Sequence, residues 1–439
     1  MTATRTGVRV GTLFLFSVGW ALAARALWQT EVPDGLELPE LDPRAYFSRA
    51  ELRRAARHET FLRFDLLLAL LAQLGALALV VRRAPRLAER LPGSALVRGL
   101  LLGLIAYGAG WLARLPFGLA AHWWERRYGL ATRGYAAWLW HRVPGPGELA
   151  VLLGALLAAM LLARLLGRRW WLAAAPLTVA VAALLVFVQP LVGPALHRPP
   201  ARVAAVVEDV AGGIQVRVER ASRRTRRANA EAIGLGPTRR IVLWDTLLDG
   251  RFTRAEIRFV GAHEAAHLER RHALRGLAWF ALFALPLAFV AARIAQRRGG
   301  PAEPAAIPLL LLAVTILQLA ALPVVGAITR RYEAEADWLA LERTRDPTAA
   351  TSLFRKFSRV NVDEPDPPHW AFLLLSDHPR LLDRIAMAKA FAAGAGSAGT
   401  RLRAQMEAPV AERRKTFGDQ SRGETSGRFL IPSRVAHFE

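Results

Sequence analysis

The chain has 439 residues, is 53% hydrophobic and carries a formal charge of +23, with a mean hydropathy of +0.22. High charge on a polar chain would mark disorder, but Leu, Ala and Val abound here. Ordinary glycine and proline content and the absence of cysteine exclude a collagen-like chain, a disulfide framework and thiolate chemistry together.

Taken in chain order, Arg5 and Arg9 precede an apolar run over Val10–Ala24, a retained first span rather than a cleaved leader because other spans follow. Leu66–Val81, Gly99–Ala113 and Leu149–Ala163 are further apolar runs, each shorter than the roughly 18 residues of a self-sufficient span. Trp171–Val192 and Ala306–Ile328 run 22 and 23 residues without a charge, enough to cross about 30 Å of hydrocarbon. Between them, Gly276–Ala292 is flanked by arginines that can snorkel to the surface. The expected fold is mainly α, an integral membrane protein of about seven transmembrane helices with a small β-sheet. Five spans fill residues 1–192, a polar segment 193–273, two spans 274–328 and a second polar segment 329–393. Residues 394–439 read as a disordered tail. Basic connections at Arg82–Arg90, Arg168–Arg169 and Arg293–Arg298 lean the polar segments away from the cytoplasm. Arg49, Arg53, Arg54, Arg57, Arg126, Arg127 and Arg142 on the opposite side make that bias modest.

The polar segments hold the chemistry. Ile214–Glu219 and Arg240–Trp244 read as strands, and 227–233 as an edge strand on which a substrate can pair as an added strand. Thr253 and Glu256 form a capping box that starts a helix running to about Arg271. That helix contains His263-Glu264-Ala265-Ala266-His267. Imidazoles at i and i+4 share a face and can reach one metal ion, with Glu264 beside it to hold a water and take its proton. A third ligand is needed. A histidine in the metzincin register would stand where Ala273 is, and His272 is one residue out, a helix-end histidine. The alternative is a carboxylate from a separate helix: Glu333 and Asp337, also i and i+4, suit a ligand and an acid that accepts from a ligand imidazole. Glu335 points elsewhere on that helix, towards solvent. His378, held extended before Pro379, is placed to donate to an oxyanion.

These residues resemble the zinc-dependent CAAX prenyl protease family, whose relatives include the membrane heat-shock zinc proteases of bacteria. The resemblance spans about Leu115 to Ala388. It rests on His263–His267, Arg330–Asp337, Asp377-His378-Pro379, Arg384-Ile385, Asn229-Ala230, Arg240–Leu248 and Glu125–Gly129. It implies a gluzincin-type metallopeptidase with one zinc per chain held by His263, His267 and Glu333. Glu264 would be the general base, Asp337 the support of a ligand histidine, and His378 a catalytic contact. Asn229, Ala230 and Arg384 would bind substrate. It further implies a chamber enclosed by the helices, a peptide or protein substrate, lipidated or membrane-associated, and a catalytic side facing the cytoplasm, in the cytoplasmic membrane if the source is bacterial. Leu130-Ala131 departs from the family's usual Phe-Asn after the Tyr-Gly pair.

Two other function classes compete within the membrane setting. One is a quality-control protease without prenyl specificity; the other is a non-catalytic adaptor or transporter, for which the nearly charge-free spans offer no intramembrane pairs. Nucleic acid is not an expected partner, because no recognition motif accompanies the basic charge.

Overall fold

The computed structural model describes residues 2–407, with side chains over 14–394. Met1–Ala390 form one compact unit that holds every element used below; Phe391–Glu439 form a second, whose described part is a helical end.

The first half is helical: α1 (Thr2–Trp28), α2 (Arg49–Arg90), α3 (Ala95–Arg127), α4 (Tyr135–Trp140), α5 (Pro146–Leu166) and α6 (Trp171–Val192). The second half interleaves a sheet with helices. It runs β1 (Leu196–His197), α7 (Ala201–Ala211), β2 (Gln215–Glu219), β3 (Ala230–Ile233), β4 (Arg240–Trp244), α8 (Arg254–Glu269), α9 (His272–Ala295), α10 (Ile307–Thr344), α11 (Pro347–Asn361), α12 (His369–Leu375) and α13 (Leu381–Glu407).

All seven expected apolar runs fall on helices. Six of these helices are long and apolar enough to cross a membrane; Phe14–Trp28 on α1 is apolar but shorter. The spanning windows leave most of their residues unburied by protein, with Phe64, Leu112, Leu184 and Val192 exposed. That is the surface a bilayer covers. Several helices outrun their apolar cores. α2 begins at Arg49 on a Ser48–Glu51 capping box, well before its apolar window, and α10 continues past Ile328 through the acidic cluster without a break. α13 runs as helix to Glu407, into the tail expected from Gly394; the rest of that tail lies outside the described residues.

The sheet order is β1-β2-β4-β3, with β2 parallel to β4 and both outer strands antiparallel to their neighbours. β3 is therefore an edge, as its sequence predicted. The turn into β4 depends on Gly234, at φ +88°, where an added Cβ would lie 2.3 Å from the Thr238 carbonyl oxygen. β3 packs on α8, which is buried along most of its length between α7, α10 and α11. Gly261 permits the closest approach: a Cβ there would meet Val207 of α7 at 2.7 Å.

Candidate functional site

α8 begins where Thr253 Oγ1 accepts from Glu256 N and Glu256 Oε2 accepts from Thr253 N, the expected capping box. Lys356 and Ser352 of α11 also bond Glu256, which is buried, so the start of the helix is held from two sides. Two turns later His263 and His267 leave the same face. The continuous α10 brings Glu333 opposite them.

Donor atoms of three residues converge. His263 Nε2 and His267 Nε2 are 3.1 Å apart, Glu333 Oε2 is 3.3 Å from the first and Glu333 Oε1 3.4 Å from the second. One ligand atom from each residue lies within 4.8 Å of the others, close enough to share one ion. Glu333 Oε2 is buried without a well-formed hydrogen bond, a lone pair open to a cation. Electrostatics agree. Burial alone would depress His263, yet the adjacent Asp337 and Glu333 carboxylates raise it to about 10, so they favour positive charge here. His267 is held neutral by burial, which lowers it to about 3. A neutral imidazole and a carboxylate are zinc's preferred donors, and the residues fit the ion.

The surrounding groups fix orientation. Asp337 Oδ1 lies 2.9 Å from His263 Nδ1. Arg384 donates from Nε and Nη2 to Asp337 Oδ2 and Oδ1, both at 2.7 Å. Arg384 thus lines the cavity, but its bidentate bonds are spent on the acid that orients a ligand. Glu264 is buried beside His263; burial, reinforced by Glu333, pushes it up to about 7. His378 comes from the loop before α13, with Nε2 3.3 Å from Glu333 Oε2 and Nδ1 2.8 Å from Asp377 Oδ1, and remains half exposed. His263, Glu264, His267, Glu333, His378 and Arg384 share a cavity of about 360 Å³ with Asn229, Ala230 and the rest of β3. Of the expected site residues, Asp337 stands off this lining, against His263 and Arg384.

Residues 197–392 match the profile of Peptidase family M48. This segment of the chain is thus similar to that family. The "uncharacterized metalloprotease YhfN" of Bacillus subtilis (strain 168) is 29% identical over 242 residues, 51% of this chain. The chain spans 57% of the length of that relative. In fold, the chain is similar to the crystal structure of S. mikatae Ste24p, with a TM-score of 0.62 at 19% identity over 86% of this chain and 96% of that one.

His272 is a helix-end histidine as expected, the first residue of α9, but it is buried, and Glu335, expected in solvent, is buried as well. His267 Nδ1 lies 2.9 Å from His272 Nδ1, and His272 Nε2 lies 2.9 Å from Glu335 Oε2. Proton counting fixes the chain. With Nε2 turned to the convergence point, His267 carries its proton on Nδ1 and donates it to His272, which donates its own from Nε2 to Glu335. Each histidine of the converging pair is therefore backed by a carboxylate, one directly and one through a second imidazole. The sequence signal was available: i+5 from His267 at a helix junction, with Arg271 at φ +53° making the turn. His272→Ala is expected to weaken zinc binding by about 10–100-fold, read by competition with a chelating dye. Unchanged affinity would refute the relay.

Proposed function

We propose that this chain is a membrane-embedded zinc endopeptidase that hydrolyses peptide bonds of membrane-associated substrates. The observation that carries it is the meeting of His263, His267 and Glu333, with one ligand atom each within 4.8 Å of the others, beside a buried carboxylate and an edge strand. Zinc, when bound, supplies Lewis-acid polarisation and lowers the pKa of water. The residues supply the rest. Glu264, with its proton affinity set near neutrality, accepts the water proton and delivers it to the leaving amine. His378 Nε2 reaches the same space and can donate to the carbonyl oxygen as negative charge develops. Ala230 and its neighbours hold the peptide backbone as an added strand, which tolerates many sequences. Arg384 and Asp337 act through His263, keeping its Nε2 aimed. Six helices long and apolar enough to cross a membrane support a bilayer setting, and the resemblance favours a catalytic side towards the cytoplasm.

Chelation tests the reading. Phenanthroline is expected to abolish peptide cleavage by the purified protein, and one equivalent of zinc per chain to restore it. Cleavage that persists after metal analysis shows the protein to be zinc-free would reject the proposal.

A further inference from the structure

One carboxylate in the cavity has no part in the chemistry just described. Glu231 stands on β3, lining the same space as His263, Glu264 and Glu333. Its Oε1 accepts from Trp244 Nε1 at 3.2 Å, and the Trp244 ring is covered by the Arg224 guanidinium at 4.5 Å. Arg224 itself is paired with Glu219, and Arg384, the cavity's arginine, with Asp337. Among the described residues no lysine or arginine pairs with Glu231. Its charge is felt at Glu264.

The register of β3 says what Glu231 would face. Trp244 N donates to Asn229 O at 3.0 Å, while Ala230 lies opposite Leu243 and Glu231 opposite Val242. Hydrogen-bonded and non-hydrogen-bonded pairs alternate in an antiparallel ladder, so Asn229, Glu231 and Ile233 turn their amides towards β4. Ala230 and Ala232 are left presenting N–H and C=O to the free edge. A peptide added antiparallel bonds those two alanines and sets one residue opposite Glu231 in a non-hydrogen-bonded pair. In such pairs the facing side chains stand closest.

We propose that Glu231 is a specificity-determining residue that selects substrates with a lysine or arginine at the position opposite it on the edge strand. The inference rests on the peptidase reading and adds the substrate's chemistry: a cationic side chain one strand-width from the cut. Opposite charges facing across a strand pair stabilise it and like charges oppose it, so lysine and glutamate at that position differ most.

The test separates binding from cleavage. Three labelled peptides, alike except for Lys, Leu or Glu at each position in turn, are titrated against zinc-loaded Glu264→Gln protein by fluorescence anisotropy, with cleavage by the unmodified protein followed in parallel. Lysine is expected to bind roughly tenfold more tightly than glutamate at one position. Adding Glu231→Gln, whose amide oxygen still accepts from Trp244, should bring the ratio near one, and Glu231→Arg should reverse it. Equal binding of the Lys and Glu peptides at every position, or a ranking unchanged by Glu231→Arg, overturns the inference. Absence of cleavage by the unmodified protein counts against the peptidase reading alone, because the binding ranking is read independently.

Discussion

Glu264→Gln is expected to reduce peptide hydrolysis by about a hundred- to ten-thousand-fold while leaving one zinc bound per chain. Glutamine keeps the size of the side chain within a buried helix but has no site that takes a proton at neutral pH. The three converging donors are untouched, since Glu264 is not among them. Turnover and metal content measured on the same preparation check both halves. Retained turnover would remove Glu264 from the chemistry, and lost zinc would show that it holds the site together instead. The elevated proton affinity gives the expectation its basis. A carboxyl near 7 accepts a proton more readily than an ordinary glutamate and still releases it to the leaving group.

Glu335→Ala is expected to cost about 3–5 kcal/mol of stability, the range for removing one member of a buried ionic cluster. Glu335 is fully buried and accepts from Arg270 Nε, Arg275 Nη1 and His272 Nε2, each at 2.9 Å, and from Glu31 N at 3.0 Å. Its loss takes the buried carboxylate partner from two partly covered guanidinium groups, leaving Arg270 with Glu31 and Arg275 with backbone carbonyls. It also frees the segment after α1, which Arg275 grips by the carbonyls of Leu27 and Gln29 and Tyr332 by the carbonyl of Leu27. Denaturant unfolding in detergent, monitored by tryptophan fluorescence, reads the effect. A midpoint equal to that of the parent protein would show that the cluster stabilises nothing.

Much of this site was visible in the residues alone because its chemistry is local. His263 and His267 sit one turn apart on a helix whose capping box announces its start, and Glu333 and Asp337 repeat that spacing on another. Strand β4 follows its run of β-branched and apolar residues from Arg240 to Trp244. What escaped was set by tertiary neighbours. Periodicity places Glu335 off the ligand face, which is correct, but cannot reveal that the end of α1 and the start of α9 close over it. His272 fails the register test for a ligand, although its partner is His267 of the converging pair. The fork of Arg384 on Asp337 likewise joins two segments that no local pattern connects. Glu231 was passed over because only the pairing of β3 with β4 decides which amides face outward. The lengths of α2 and α10 were underestimated for a similar reason: apolar runs mark where lipid ends, not where a helix does.

The unbroken course of α10 has a geometric consequence. Glu333 follows Ile328, the end of the charge-free run, by five residues. At 1.5 Å per residue it is anchored roughly 7–8 Å of helix beyond that run. The helix is a ruler. On the proposed peptidase reading it sets the depth of the cut: a bond near the point where a chain leaves the bilayer comes within reach, and one held well inside or far above it does not.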